Sequence, residues 1–157
     1  MSNQGVRGYY QITKTLRDTL LDDVNVNTVT TGDISDVDLS KQTIFPLAHI
    51  IVNSAQFNTN HWRLSVSVLC MDIVDVSKEE TTDIFTGNTN EQDVLNTQLA
   101  VLNLLLSKLS RGTLYTDKYQ VDGTPSCEPF VDRFEHLLTG WSCTFDVLIQ
   151  NDIDICD

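Results

Sequence analysis

The sequence predicts an α+β fold: a mostly antiparallel sheet of about four to six strands with two main helices packed on one face. Three observations predict it. Trp62–Val74 alternates as a half-buried strand does, with Trp62, Leu64, Val66, Val68 and Cys70 on one side and Arg63, Ser65 and Ser67 on the other. Asn90–Arg111 carries leucines at helical spacing and needs a broad surface to lie on. The elements also follow one another as helix, two or three strands, long strand, long helix and two strands, an order that groups strands beside each other.

In chain order, residues 1–7 are polar and unpatterned and read as a loose tail. A helix fits Gly8–Leu21, where Tyr9, Ile12, Leu16 and Leu20 make one apolar stripe. Val24–Thr31 reads as a short strand that ends in the turn Thr30-Thr31-Gly32-Asp33. Asp33–Gln42 reads as a loop or an edge. Ile44–Val52 is a strand whose Pro46 cannot donate to a ladder, which places it near a strand start or on an edge. His49, between apolar neighbours, reads as a satisfied structural histidine. Asn53–His61 is polar and reads as a hairpin connection to the strand Trp62–Val74.

Residues 75–89 form a long acidic loop whose large apolar pair is Ile84 and Phe85. These either fold back on the core or meet a partner. Asn90 with Asp93 resembles a capping box for the second helix. Its stripe is Leu95, Leu99, Leu102, Leu106 and Leu109, widened by Val101 and Leu105, and Gly112 suits a left-handed cap. Thr113–Gly123 closes on an Asp122-Gly123 turn. Ser126–Phe134 and Trp141–Ile149 form an antiparallel pair, with Trp141, Cys143, Phe145, Val147 and Ile149 facing inward. Residues 151–157 read as a frayed acidic tail. A chain of 157 residues without a linker or repeat is expected to be a single domain.

Ten Lys and Arg stand against 22 Asp and Glu, a net charge of −12. No cluster of cations offers a phosphate-binding surface, which argues against specific nucleic-acid binding and against anionic membranes. Acid comes in blocks, one from Asp18 to Asp38 and another from Asp72 to Asp93. A solvated face explains them, as does a surface that repels a polyanion or meets a basic partner. The four cysteines have no Cys-x-x-Cys spacing and read as reduced thiols, Cys70 and Cys143 being small core residues.

Catalytic chemistry finds little purchase. The chain has no Gly-x-Ser-x-Gly elbow and no glycine-rich phosphate cradle. His49, His61 and His136 lack ligands at zinc spacing, and the acids around Gly87 miss calcium-loop spacing. No catalytic residue, metal or cofactor is expected.

Three groups of residues carry a resemblance. The first is Ile44-Phe45-Pro46-Leu47-Ala48-His49 leading by a hairpin to Trp62–Val74. The second is the acidic stretch followed by Asn90-Glu91-Gln92-Asp93-Val94-Leu95 and the leucine helix. The third is Cys127-Glu128-Pro129-Phe130-Val131-Asp132-Arg133-Phe134 with Gly140-Trp141-Ser142-Cys143-Thr144-Phe145-Asp146-Val147. Over about residues 8–150 the chain resembles the tail-terminator (tail-completion or neck) proteins of long-tailed bacteriophages. The resemblance implies a virion protein, assembled in the host cytoplasm, that forms a homo-hexameric ring. Such a ring caps the tail-tube protein, meets the head-side connector or stopper, and lets genome DNA pass without binding it. It implies no active site, no cofactor and no membrane.

On that reading the subunit or partner interface would include Leu69, Met71 and Ile73 with Glu79, Glu80, Asp83, Ile84 and Phe85. The acidic lumen would draw on Asp33, Asp36, Asp38, Asp72 and Asp75. Other neck, baseplate or tail-tube ring components share such a build. The alternative from another class is a small acidic intracellular binding protein or an anti-host DNA mimic.

Overall fold

A computed structural model of the chain describes residues 4–34, 37, 42–59, 61–74, 90–111, 120–133 and 138–150. Its elements run α1 (Gln4–Leu21), β1 (Thr28–Thr31), β2 (Leu47–Phe57), β3 (His61–Ile73), α2 (Glu91–Arg111), β4 (Gln120–Arg133) and β5 (Leu138–Gln150), with a 3-10 turn at Gln42–Ile44 before β2. The five strands form one sheet in the order β1-β2-β3-β5-β4, antiparallel except for the parallel edge pair β1–β2. This is the expected α+β class.

Side-chain alternation decides the layers. Val66, Val68 and Cys70 of β3, Ala48 and Ile50 of β2, and Cys143, Phe145, Val147 and Ile149 of β5 share one face. Ile12, Leu16 and Leu20 of α1 and Val101, Leu102, Leu105 and Leu109 of α2 close over it. Burial of this cluster is the main stabilising term, at roughly 25 cal/mol per Å² of apolar surface. The α2 start is set by a backbone bond from Val94 to the Asn90 carbonyl, and Glu91 and Asp93 suit the positive end of the helix dipole. Trp141 Nε1 donates to the Leu95 carbonyl at 2.8 Å and ties β5 to that helix.

Among the described residues, the opposite face is covered at one end. Phe45, Leu47, Met71, Phe130 and Leu138 form a second buried cluster, with Ile34, Val37 and Ile44 of the β1–β2 connection packed on it. A parallel pair cannot be joined by a hairpin. The connection that this requires supplies the cover.

Five expectations need correction. Helix α1 begins at Gln4, inside the segment read as a tail. The polar run Asn53–His61 is mostly strand, because β2 continues to Phe57 and β3 starts at His61. Both strands are wet there, so no alternation marks them. Asp122-Gly123 is not a turn between elements: Gly123 sits inside β4 at φ +75°, where the β4–β5 register slips between Asp122 and Ser126. That is the geometry of a bulge. The buried face of α2 is Val94, Gln98, Val101, Leu102, Leu105 and Leu109, while Leu99 is 40% exposed. Last, the strand expected at Ile44 starts at Leu47, after the 3-10 turn and a cis Phe45–Pro46 peptide. His49, Cys70 and Cys143 are buried as expected.

At Gly140 β5 lies close against β3. A Cβ built there would lie 1.9 Å from the Cys70 carbonyl oxygen, which is backbone and cannot yield. Gly140→Ala is expected to cost about 3 kcal/mol or more, or to prevent folding. Gly123→Ala meets open space and only the left-handed backbone penalty, so it should cost about 1–2 kcal/mol. Urea melts of the two variants check the contrast.

Candidate interaction surface

The sequence-predicted interface residues divide between the covered face and undescribed segments. Met71 is fully enclosed against Phe45, Leu47, Phe130 and Leu138. It offers nothing to a partner, which corrects its place in that set. Leu69 and Ile73 are half-buried against the same cluster. Glu79, Glu80, Asp83, Ile84 and Phe85 lie outside the described residues, as do Asp36, Asp38 and Asp75 of the acidic set. Asp33 is exposed just past β1, whose last residue Thr31 is level with Ile50. Asp72 is half-buried and follows Met71, which is level with Leu47. These two acids therefore sit at different heights on the sheet. Among the described residues no group of three or more His, Cys, Asp or Glu is placed to hold a metal, and no helix is long and apolar enough to cross a membrane.

Two polar arrangements hold the sheet. His49 is buried, with Nε2 2.8 Å from the Gly32 carbonyl and Nδ1 2.6 Å from Thr30 Oγ1. A carbonyl only accepts, so Nε2 carries the proton; in the neutral ring the Thr30 hydroxyl donates to Nδ1. Burial lowers the His49 pKa, against weaker opposing effects of the Gly32 bond and the Asp33 charge. On the far half of the open face Asp122 and Asp146 are cross-strand neighbours. Arg63 reaches both, at 3.2 Å for Asp146, and so joins β3, β5 and β4 where the bulge interrupts the ladder. The hydrogen bond to Asp146 is the main reason the Arg63 pKa is raised.

The sheet's two outer edges differ. Strand β4 carries Pro125 and Pro129, two register breaks and the acids Asp122 and Glu128, all devices that discourage a further strand. Strand β2 has none of these beyond its one bulge after Val52. Its neighbour β1 stops at Thr31, level with Ile50, so among the described residues no strand lies outside residues 51–57. Asn53 through Phe57 are exposed, and Phe57, 68% exposed, packs edge-on against Trp62. No Asp, Glu, Lys or Arg occurs from Gln42 to Trp62. In a chain of net charge −12, this strip lacks the charge that keeps copies apart.

Where β1 ends, a cleft opens between it and α1. Tyr10, Lys14 and Arg17 line one wall, and Val29, Thr31 and Ile50 the other. Lys14 and Arg17 are exposed, and among the described residues they make no ion pair. Lys14 and Arg17 lie off the apolar stripe of α1. Their i, i+3 spacing was the available signal, but only the fold brings β1 beside them.

Comparison with known proteins finds no family model that matches the chain and no matching curated protein.

His49 makes folding stability pH-dependent in a definite direction. With its folded pKa below the usual 6.5, the unfolded chain binds the proton more readily. Its contribution is complete above that value and is lost as pH falls through the window just beneath it. Urea midpoints measured from pH 7.5 down to 5.5 should fall for the wild type and fall less for His49→Gln.

Proposed function

We propose that the chain is a ring-forming structural subunit of a tailed-phage virion, the tail terminator that caps the tail tube and meets the head-side connector. The observation that carries the assembly half of this reading is the contrast between the sheet edges. One is guarded by prolines, two register breaks and acids, and the other carries no charge over Ile51–Phe57, is exposed from Asn53 to Phe57 and has a single bulge after Val52. A strand edge of that kind is what a subunit shows to a neighbour. The terminator assignment itself rests on the sequence resemblance. A net charge of −12 supports it, since a conduit for DNA must not hold the phosphate backbone.

The test is assembly. Native mass spectrometry and negative-stain images of the purified chain, alone and with isolated tail tubes, should show closed rings of six subunits or rings seated on tube ends. Placing a charge on the open edge, as Ala55→Lys with Gln56→Lys, should leave the fold intact and abolish the rings. A strict monomer at high concentration that ignores tail tubes removes the reading.

A further inference from the structure

The cleft between α1 and β1 opens onto the edge of β2 at the point where β1 leaves it. Thr31 is level with Ile50, the chain turns away at Gly32 (φ +102°), and among the described residues no strand pairs with residues 51–57 of β2 on that side. An extended segment laid along that edge would follow β1 end to end. Its polar side chains at the β1 end would meet Lys14, Arg17 and Tyr10, the last 70% exposed. Exposed cations that pair with no acid among the described residues of so acidic a chain suit a carboxylate ligand.

Residues 151–157, which follow β5, have the matching pattern. Asp152 and Asp154 alternate with Ile153 and Ile155, so an extended conformation puts the carboxylates on one side and the isoleucines on the other. Asp152 and Asp154 cannot reach the cleft of their own subunit. Gln150 is level with His61, at the hairpin end of the sheet, while the cleft is level with Ile50. The separation is about 23 Å along the strands and about 14 Å across them, from about 3.3 Å per residue and about 4.8 Å per strand. Asp152 and Asp154 lie two and four residues past Gln150, a reach of about 7 and 14 Å.

We propose that the α1–β1 cleft and the adjoining open edge of β2 form a docking site for residues 151–157 of a second copy of this chain. The inference rests on the reading of the chain as an assembling subunit, and it names the contact. Lys14 and Arg17 take Asp152 and Asp154, while Ile51–Phe57 supplies main-chain pairing in the manner of strand addition. Donor and acceptor lie at different places on the molecule. The contact is therefore head-to-tail, the kind from which rings are built when the rotation between neighbours closes.

The experiment is a charge reversal on the full chain, read by native mass spectrometry and by binding of a labelled peptide of residues 150–157. Lys14→Glu with Arg17→Glu lies on an exposed helix face, so circular dichroism and Tm should match the wild type. Assembly should be lost and the peptide should bind about tenfold more weakly, as two exposed ion pairs imply. Asp152→Lys with Asp154→Lys should also abolish assembly, and the four substitutions together should restore it. Assembly that persists in both double variants overturns the docking site and leaves the subunit reading standing. Failure of the fourfold variant to recover, with its fold intact, overturns the pairing of these charges. A wild type that stays monomeric with and without tail tubes removes the subunit reading and the docking site together.

Discussion

Thirteen consecutive residue pairs join β3 to β5 without a register shift, from His61 opposite Gln150 to Ile73 opposite Leu138. The other long ladders break, β2–β3 after Val52 and β4–β5 twice. The unbroken ladder sets the faces of the whole sheet. A slip of one residue would turn Val66, Val68 and Cys70 away from the helices and bring Ser65, Ser67 and Leu69 under them. Gly140 belongs to this constraint. With no side chain it lets β5 lie against the Cys70 carbonyl, and Met71 opposite it stays inside the second cluster. The bulges sit farther out, where β2 and β4 can bend without disturbing the central pair.

The strands on either side of that ladder were legible because burial leaves a pattern. β3 and β5 each have one face under the helices, so their apolar residues alternate and the pairing of β4 with β5 follows from proximity. Patterns vanish where burial does. Asn53–Phe57 is exposed throughout and reads as a loop, although it is hydrogen-bonded strand. Helix α2 misleads for the opposite reason, because leucines occur on several of its sides. Its buried row passes through Gln98, whose amide atoms have no partner among the described residues. A polar residue in that row moved the apparent stripe towards Leu95 and Leu99. Leu69, Met71 and Ile73 were seen to be apolar on the second face. What covers them comes from the β1–β2 connection, and no local pattern could name so distant a partner.

Electrostatics limits where copies of this chain can touch. At physiological ionic strength charges are screened beyond about 8 Å, so carboxylates brought closer than that repel in earnest. The chain carries 22 of them. Two are already held by Arg63, which offsets one of the two charges of the cross-strand pair Asp122 and Asp146 and is engaged there. A contact between copies must then use surface without acid, or set acids against cations that have no partner. The charge-free strip from Gln42 to Trp62 meets the first condition, and Lys14 with Arg17 meets the second. The fold puts the two side by side at Ile50, although the sequence separates them by more than thirty residues.

That juxtaposition bears on the symmetry of any assembly. A two-fold contact would pair the same acid-free edge of two copies antiparallel about its middle, which brings no acid to Lys14 and Arg17 of either copy. A contact between unlike surfaces does bring it, because each copy supplies acid at one place and accepts it at another. The bulge after Val52 adds a geometric bias, since it bends β2 and works against a long flat pairing of two identical edges. Charge placement and strand shape thus favour a directional contact. Whether such a contact closes into a ring or runs on as a filament depends on the angle between neighbours, which is set by how far past Ile50 the incoming segment follows the twist of β2.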